Sequence, residues 1–170
     1  MNFHVSTRSL EAADLPAAAR VLETAILASP LYNDWSKRGE VASLTAAALS
    51  VKLQSGDFGV TAAFEGDTMV GVIVFSFEAG LAWLDWIAVS ATHRGRGVAH
   101  ALMRALEDSA VKQGAHKIWC DSRVENIASQ KLLEAHGYGI VVTLKRHWYG
   151  LDFFIWEKFL EIAPNSLEAN

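Results

Sequence analysis

The stretch from Leu84 to Ala99 constrains this chain more than any other. An apolar run, Leu84-Asp85-Trp86-Ile87-Ala88-Val89, gives way to a basic turn punctuated by glycine, Arg94-Gly95-Arg96-Gly97, and a helical pattern starts at once with Val98 and Ala99. A strand that feeds directly into a helix leaves the helix's first N–H groups unpaired and presents the positive end of its dipole. Such a junction binds anions. Gly95 and Gly97 carry no Cβ, so the backbone can approach a ligand closely. Arg94 and Arg96 add whole charges to the partial one. The junction reads as a cradle for a phosphate or pyrophosphate, and the plainer alternative is a tight turn whose arginines point into water. The third glycine of a dinucleotide-binding fingerprint is missing, because His100 stands there, and no G-x-x-x-x-G-K-[ST] occurs.

Around this junction the chain alternates between short elements. Phe3-His-Val-Ser reads as a first strand. Asp14-Leu15-Pro16 opens a helix with an acidic N-cap and an early proline, and Leu15, Ala18, Ala19, Leu22 and Ile26 give it an apolar stripe to about Ala28. Ser29–Trp35 breaks that pattern as a loop. A second helix covers Lys37–Gln54, with Val41, Leu44, Thr45, Ala48 and Leu49 on one face. Val60–Phe64 and Met69–Phe77 form a hairpin around Gly66, followed by the strand Leu81–Val89. The helix after the glycines spans Gly97–Gln113, and Lys117–Asp121 is the next strand. Asn126 caps a short helix closed by Gly137, and Tyr138–Leu144 with Leu151–Phe159 makes a final hairpin. The order β-α-α-β-β-β-α-β-α-β-β predicts an α+β fold whose strands 81–89 and 117–121 run parallel. Residues 1–163 read as one domain and 164–170 as a loose tail.

Composition excludes several classes. With 51% hydrophobic and 20% charged residues among 170, the chain can bury a core and is neither disordered nor low in complexity. A net charge of −4 argues against nucleic-acid binding, which needs a broad basic face. Cys120 is the only cysteine, so no internal disulfide forms and a reducing, cytoplasmic setting is expected. The longest apolar stretch, Met69–Phe77, is too short to span a bilayer, and the N-terminus has no secretory pattern.

Two motifs carry a resemblance. Arg94-Gly95-Arg96-Gly97-Val98-Ala99 resembles the [QR]-x-x-G-x-[GA] motif of the GNAT superfamily of acyl-CoA-dependent N-acyltransferases. Downstream, the run from Asn126 through Ser129, Leu132 and Leu133 to Gly137-Tyr138 resembles N-x-x-[AS]-x-x-L-Y-x-x-x-G-[FY] of the same superfamily. The resemblance covers roughly residues 3 to 160. It implies a mixed central sheet of about seven strands flanked by about four helices. It also implies acetyl-CoA as cosubstrate, with the pantetheine arm lying like an added strand against the backbone of Ile87, Ala88 and Val89. The amides from Arg94 through Gly95, Arg96, Gly97 and Val98 to Ala99 would take the pyrophosphate. Asn126 and Ser129 would contact the arm from the far side, although Asn126 also reads as a plain helix cap. A homodimer is compatible with it.

Further residues bear on the reaction that the resemblance implies. Asp85 sits in an apolar strand between Trp83 and Trp86, where members similar to diamine and aminoglycoside acetyltransferases hold a glutamate in L-E-x-x-x-V. An amine must lose a proton before it can attack, so Asp85 is the candidate base; the alternative is a strand acid facing solvent. Leu133 departs from the motif, because the matching position commonly holds a tyrosine that protonates the leaving thiolate. Tyr138 matches a packed aromatic and reads as core. His116 and Cys120 stand four residues apart on a strand, about 13 Å, too far to form a dyad. The six histidines show no metal-ligand spacing. Tyr32, Asp34 and Trp35 in the Ser29–Ser36 loop form an aromatic and acidic set suited to a cationic amine. Two readings follow from the resemblance: transfer of acetyl to a primary amine of a small molecule, a peptide N-terminus or a lysine side chain, or acyl-CoA sensing without turnover.

Overall fold

Period-two alternation in the strands and period-3.6 stripes in the helices decide which faces of this chain meet. The computed structural model describes residues 5–161. In order, the elements are β1 (Ser6–Ser9), α1 (Leu15–Ala28), α2 (Asp34–Ser43), α3 (Ala46–Ser55), β2 (Phe58–Glu65), β3 (Thr68–Glu78), β4 (Leu81–Val89), α4 (Val98–Lys112), β5 (Lys117–Arg123), α5 (Ile127–Ala135), β6 (Gly139–Leu144) and β7 (Phe153–Phe159). Half of the strand expected at 3–6, and the expected tail, lie outside the described residues.

The seven strands form one sheet in the order β1-β2-β3-β4-β5-β7-β6. All neighbours are antiparallel except β4 and β5, which the α4 crossover makes parallel. The strand β7 lies between β5 and β6, so the final hairpin is antiparallel as expected but presents β6 as the edge.

Two apolar layers cover the sheet. On one face Val98, Leu102, Met103, Leu106 and Ala110 of α4 pack against Ile73, Phe75, Leu84, Ile118 and Trp156. On the other, Leu15, Ala18, Leu22 and Ile26 of α1 and Leu49 of α3 pack against Val60, Val72, Val74 and Ala88. The α1 stripe is the one its sequence period demands. Its expected cap is not: the Asp14 carboxylate is held by Arg8 at 2.6 Å and by the Glu11 N–H at 2.9 Å, and makes no side-chain cap.

The second helix expected at Lys37–Gln54 is two helices, so five α-helices flank the sheet. Thr45 breaks it: its backbone is extended and its Oγ1 accepts from the Ala48 N–H at 3.2 Å, starting α3 afresh. A threonine hydroxyl competes with the helix for backbone donors, and the packing of Leu44 and Leu49 into one core favours the break. The first part also begins earlier than expected. Asn33 Oδ1 accepts from the Ser36 N–H at 2.9 Å and caps α2 at Asp34.

Thr45→Ala should lower stability by about 1 kcal/mol through loss of the α3 cap, and Thr45→Ser should retain most of it. Urea unfolding of the three proteins measures this, with unchanged far-UV dichroism showing that the helices remain.

Candidate active-site cleft

Strands β4 and β5 pair only from Leu81–Lys117 to Leu84–Cys120. Beyond that point they part: Trp86–Val89 stay with β3, while Asp121–Arg123 stay with β7. At the fork Asp85 is an extra residue, because Phe75 pairs with Leu84 and Val74 with Trp86. Such a bulge re-phases the alternation of the strand. Ala82 and Leu84 pack in the α4 layer, whereas Trp86 and Ala88 pack in the α1 layer.

The ladder then fixes which backbone groups are open. The Ser90 N–H donates to Val70 O at 2.9 Å, so alternation turns the polar groups of Ala88 and Trp86 toward β3. Those of Ile87 and Val89 face the gap left by β5. Of the three residues expected to offer backbone there, Ile87 and Val89 do so and Ala88 contributes its side of the wall. Arg94 Nε donates to Val89 O at 3.3 Å at the end of this row.

The gap opens into a cleft of about 1110 Å³ that passes through the sheet. On the α4 and α5 side it is lined by Ala99, His100, Asn126, Ser129 and Leu133. On the α1 and α2 side it is lined by Ala28, Tyr32, Glu40 and Leu44, with Asp85 and Asp121 between the two.

The α4 end is built to receive an anion. Gly97 precedes the helix at φ +83° and no side chain caps the helix start. Ala101 is the first residue whose N–H finds the Gly97 carbonyl, at 3.0 Å, which leaves the N–H groups of Val98, Ala99 and His100 without an intrahelical acceptor. A Cβ added at Gly95 or Gly97 would meet no protein atom within 4 Å, so the space above the turn is open. His93, Arg94, Gly95, Gly97, Val98 and Ala99 lie on the cleft wall, whereas Arg96 does not. Asn126 is a cap, its Oδ1 accepting from the Ser129 N–H at 3.1 Å, and it also lines the cleft. His100 Nδ1 lies 3.0 Å from His136 Nε2, and His136 Nδ1 lies 3.0 Å from Glu107 Oε1.

The opposite end is acidic and aromatic. Burial pushes the Asp85 carboxyl up to about 6, a hydrogen bond from Ser76 and the charge of Lys52 opposing it and Glu40 adding to it. Asp121 is likewise pushed up to about 6 by burial, against a hydrogen bond from Trp148 Nε1 at 3.0 Å. The Glu40 carboxylate accepts from Trp86 Nε1 at 2.8 Å. Burial and the nearby acids Asp121 and Glu40 push the Tyr32 phenol up to about 12, and its ring lies 5.6 Å from that of Trp86. Asn33 Nδ2 donates to Tyr149 O at 3.2 Å, which ties the loop before β7 to the start of α2.

This arrangement corrects the expected acceptor set. Tyr32 lines the cleft, but Asp34 and Trp35 do not. The early cap at Asn33 winds both into the first turn of α2. Asp34 borders a separate shallow depression with Lys37 and Arg38, and Trp35, 62% exposed, meets Tyr149 edge-on at 5.3 Å. Glu40, Asp121, Trp148 and Tyr149 line the cleft without having been singled out from the sequence. The signal for Asp121 was present: an acid stands among apolar residues of a strand, as Asp85 does. Cys120 is buried in the α4 core, and that burial pushes its thiol up. Tyr138 is buried in the α4 core, as its motif position implies. Among the described residues no group of His, Cys, Asp and Glu is arranged to hold a metal ion, and no helix is long and apolar enough to cross a membrane.

The fork in the sheet and the open helix start define an acyl-CoA-binding type of cleft. Residues 25–138 match the Acetyltransferase (GNAT) family, and the chain belongs to that family. It is an acetyltransferase of that family. The fold is similar to that of the ribosomal-protein-S18-alanine N-acetyltransferase of Escherichia coli, with a TM-score of 0.75 and 22% identity over 96% of this chain and 98% of that one. The PaiA N-acetyltransferase of Thermoplasma acidophilum, solved with coenzyme A, superposes with a TM-score of 0.80 and 20% identity over 92% and 99%. A ribosomal-protein-alanine N-acetyltransferase of Brucella melitensis gives 0.74 and 24% over 91% and 99%. No curated protein sequence matches significantly.

Two outcomes follow from this geometry. Gly97→Val should weaken coenzyme A binding at least tenfold, since it puts a branched side chain into the open space and strains a left-handed backbone. Arg96→Ala should cost less, because the N–H groups stay in place; calorimetry on folded protein ranks the two. The second concerns stability. Asp85 binds protons more tightly folded than unfolded, so its contribution to stability falls as pH rises from about 4 to about 6 and stays low above that. Asp85→Asn should therefore stabilise the fold by about 2 kcal/mol at pH 7 relative to its effect at pH 4, measured by denaturant unfolding.

Proposed function

We propose that the chain transfers the acetyl group of acetyl-CoA directly to a primary amine in a ternary complex, with Asp85 as the base. The observation that carries this reading is a half-buried carboxylate on a bulge at the waist of the cleft, its buried Oδ2 lacking any hydrogen-bond partner. The pantetheine arm would take the open backbone groups of Ile87 and Val89, and the pyrophosphate those of the Arg94–Ala99 turn. Asn126 and Ser129 would border the arm from α5. The amine would enter from the side of Tyr32 and Glu40. Acetyl-CoA supplies an activated acyl carbon; the chain's task is to align a neutral amine with it. Alignment alone can contribute roughly 7–11 kcal/mol in favourable systems. The lone cysteine suits a cytoplasmic enzyme.

A carboxylate that holds a proton near pH 6 can accept one from an ammonium ion at neutral pH and release it to water. Asp85 is shorter than the glutamate of similar family members, so it works either through one water or by binding the ammonium directly. The leaving thiolate finds no phenol at position 133. Leu133 is 2% exposed, packs in the α4 core and also touches the cleft. Its proton then comes from water, and the reaction is slower for it.

The experiment is thiol release from acetyl-CoA with a panel of acceptors: aliphatic amines, peptides with a free alanine N-terminus, and lysine peptides. Amine-dependent release supports the transferase, and coenzyme A binding without release under every acceptor supports a sensor. Asp85→Asn should lower kcat by about 10²–10⁴ with coenzyme A affinity unchanged. Leu133→Tyr should exceed Leu133→Phe in kcat, since the pair differs only in the hydroxyl; equal rates would assign the donor elsewhere.

A further inference from the structure

We propose that Asp121 is a second acceptor-binding carboxylate, and that it and Asp85 grip the acceptor's ammonium group from the two arms of the fork in the sheet. This rests on the transferase reading above.

The register sets the geometry. Leu84–Cys120 is the last parallel pair, so Asp85 and Asp121 are the next residue on each arm, where the strands begin to part. Neighbouring strands are about 4.8 Å apart where they pair, and the gap widens from there. Both side chains point to the same face. Ala82, Leu84, Ile118 and Cys120 pack in the α4 layer, so their alternates Trp83, Asp85, Trp119 and Asp121 turn the other way. Trp83 and Trp119 confirm that pairing, their rings meeting edge-on at 6.1 Å one step before the two acids. The carboxylates thus stand side by side at the floor of the α1 and α2 half of the cleft.

Their hydrogen bonding leaves them short of donors. Asp85 Oδ2 is buried with no partner. Asp121 receives one donor on Oδ2, from Trp148 Nε1, which fixes the carboxylate and leaves its other oxygen for a ligand. A primary alkylammonium carries three N–H donors and one charge, and can bridge two carboxylates that do not touch each other. A metal ion fits less well, since no group of three or more ligating side chains converges among the described residues.

The neighbours of this pair are accounted for on every side. From α2, Glu40 adds a like charge to both acids; from α3, Lys52 opposes it at Asp85; from β3, Ser76 donates to Asp85. Tyr32 feels both Asp121 and Glu40, and Arg123 further along β5 acts on Tyr32 in the opposite sense. Burial above all, with like charge from Glu40 at both acids and from Asp85 at Asp121, holds both above the ordinary carboxylate range. An ammonium placed between them relieves both. The acceptor is therefore an aliphatic amine that arrives protonated, and an arylamine, neutral at pH 7, gains nothing from the pair. Asp85 takes one proton from the bridging nitrogen, leaving a neutral amine and a protonated carboxyl; Asp121 keeps its charge and holds the remaining N–H groups.

The test uses full-length protein saturated with coenzyme A and labelled with ¹³C at the aspartate carboxyls. Resonances are assigned by the single variants Asp85→Asn and Asp121→Asn and titrated with pH, with and without 1-aminopropane hydrochloride. Asparagine keeps the oxygen that Trp148 needs, so the fold should survive, and dichroism checks that it does. Three results are expected. The Asp121 transition moves to lower pH in Asp85→Asn, because a like charge has gone. Both carboxyl resonances respond to propylammonium in the wild-type protein. Propylammonium affinity falls roughly tenfold or more in Asp121→Asn, whereas aniline binds both proteins alike. An Asp121 transition that stays in place in Asp85→Asn, or an ammonium response confined to one carboxyl, overturns the pair and leaves Asp85 as base untouched. An Asp85→Asn enzyme of unimpaired kcat overturns the base itself, a distinct result read from turnover.

Discussion

The structure turns on the incomplete pairing of β4 with β5. Two parallel strands joined by a helix would ordinarily pair along their whole length. Here they hold together for four residue pairs and then part. Each arm is secured on its outer side, β4 by β3 and β5 by β7, so the fork stays open without loss of the sheet. The Asp85 bulge adds the residue that bends β4 away and re-aims its side chains. The crossover helix α4 begins just past the open arm, so the free N–H groups of its first turn arrive at the mouth of the gap the fork creates. Backbone left unpaired inside a protein is costly unless a ligand satisfies it. The backbone groups of Ile87 and the Val89 N–H face that gap, while Val89 O is already met by Arg94.

Charge is separated along the same cleft. An open helix start and Arg94 stand at one end, and Glu40, Asp85 and Asp121 at the other. That separation suits the proposed reaction, in which an anionic acyl carrier would enter at one end and a cationic acceptor at the other. Holding two carboxylates in a partly buried place lowers the stability of the fold at neutral pH, since each would ionise more readily in the unfolded chain. The same cost is what makes a carboxylate able to take a proton near pH 7.

The acceptor end depends on contacts between parts of the chain that are far apart. The loop before β7 brings Trp148 to Asp121 and Tyr149 to Asn33, and the ring of Trp35 supports Tyr149 from α2. The break at Thr45 lets α2 and α3 bend around α1, which brings Glu40 and Lys52 to the same end of the cleft. The donor end, by contrast, is almost wholly local, one strand, one turn and one helix in sequence order.

That contrast decides what was legible in the residues. The α+β order, the parallel pair, the stripe of α1 and the anion cradle at Arg94–Ala99 follow from local periodicity, glycine placement and helix-end chemistry. Asn126 as a cap and Tyr138 as core were equally plain. The split at Thr45 was not, because an apolar face at helical spacing continues through it and only packing of Leu44 and Leu49 selects the break. Asp34 and Trp35 were assigned to the cleft from their company, and the hydrogen bond from Ser36 to Asn33 turned them elsewhere. The bulge at Asp85 leaves no trace in a strand whose residues are nearly all apolar, since alternation is invisible where both faces are buried. Asp121, Glu40 and Trp148 meet Asp85 only through strand order and loop closure, which no local spacing encodes. The sequence by itself determined where the chain presents an open helix start flanked by glycines, because that junction is a property of contiguous backbone. Tertiary structure alone decided which acids share the opposite end, because side chains from β4, β5, α2 and the β6–β7 loop become neighbours only once the sheet is assembled.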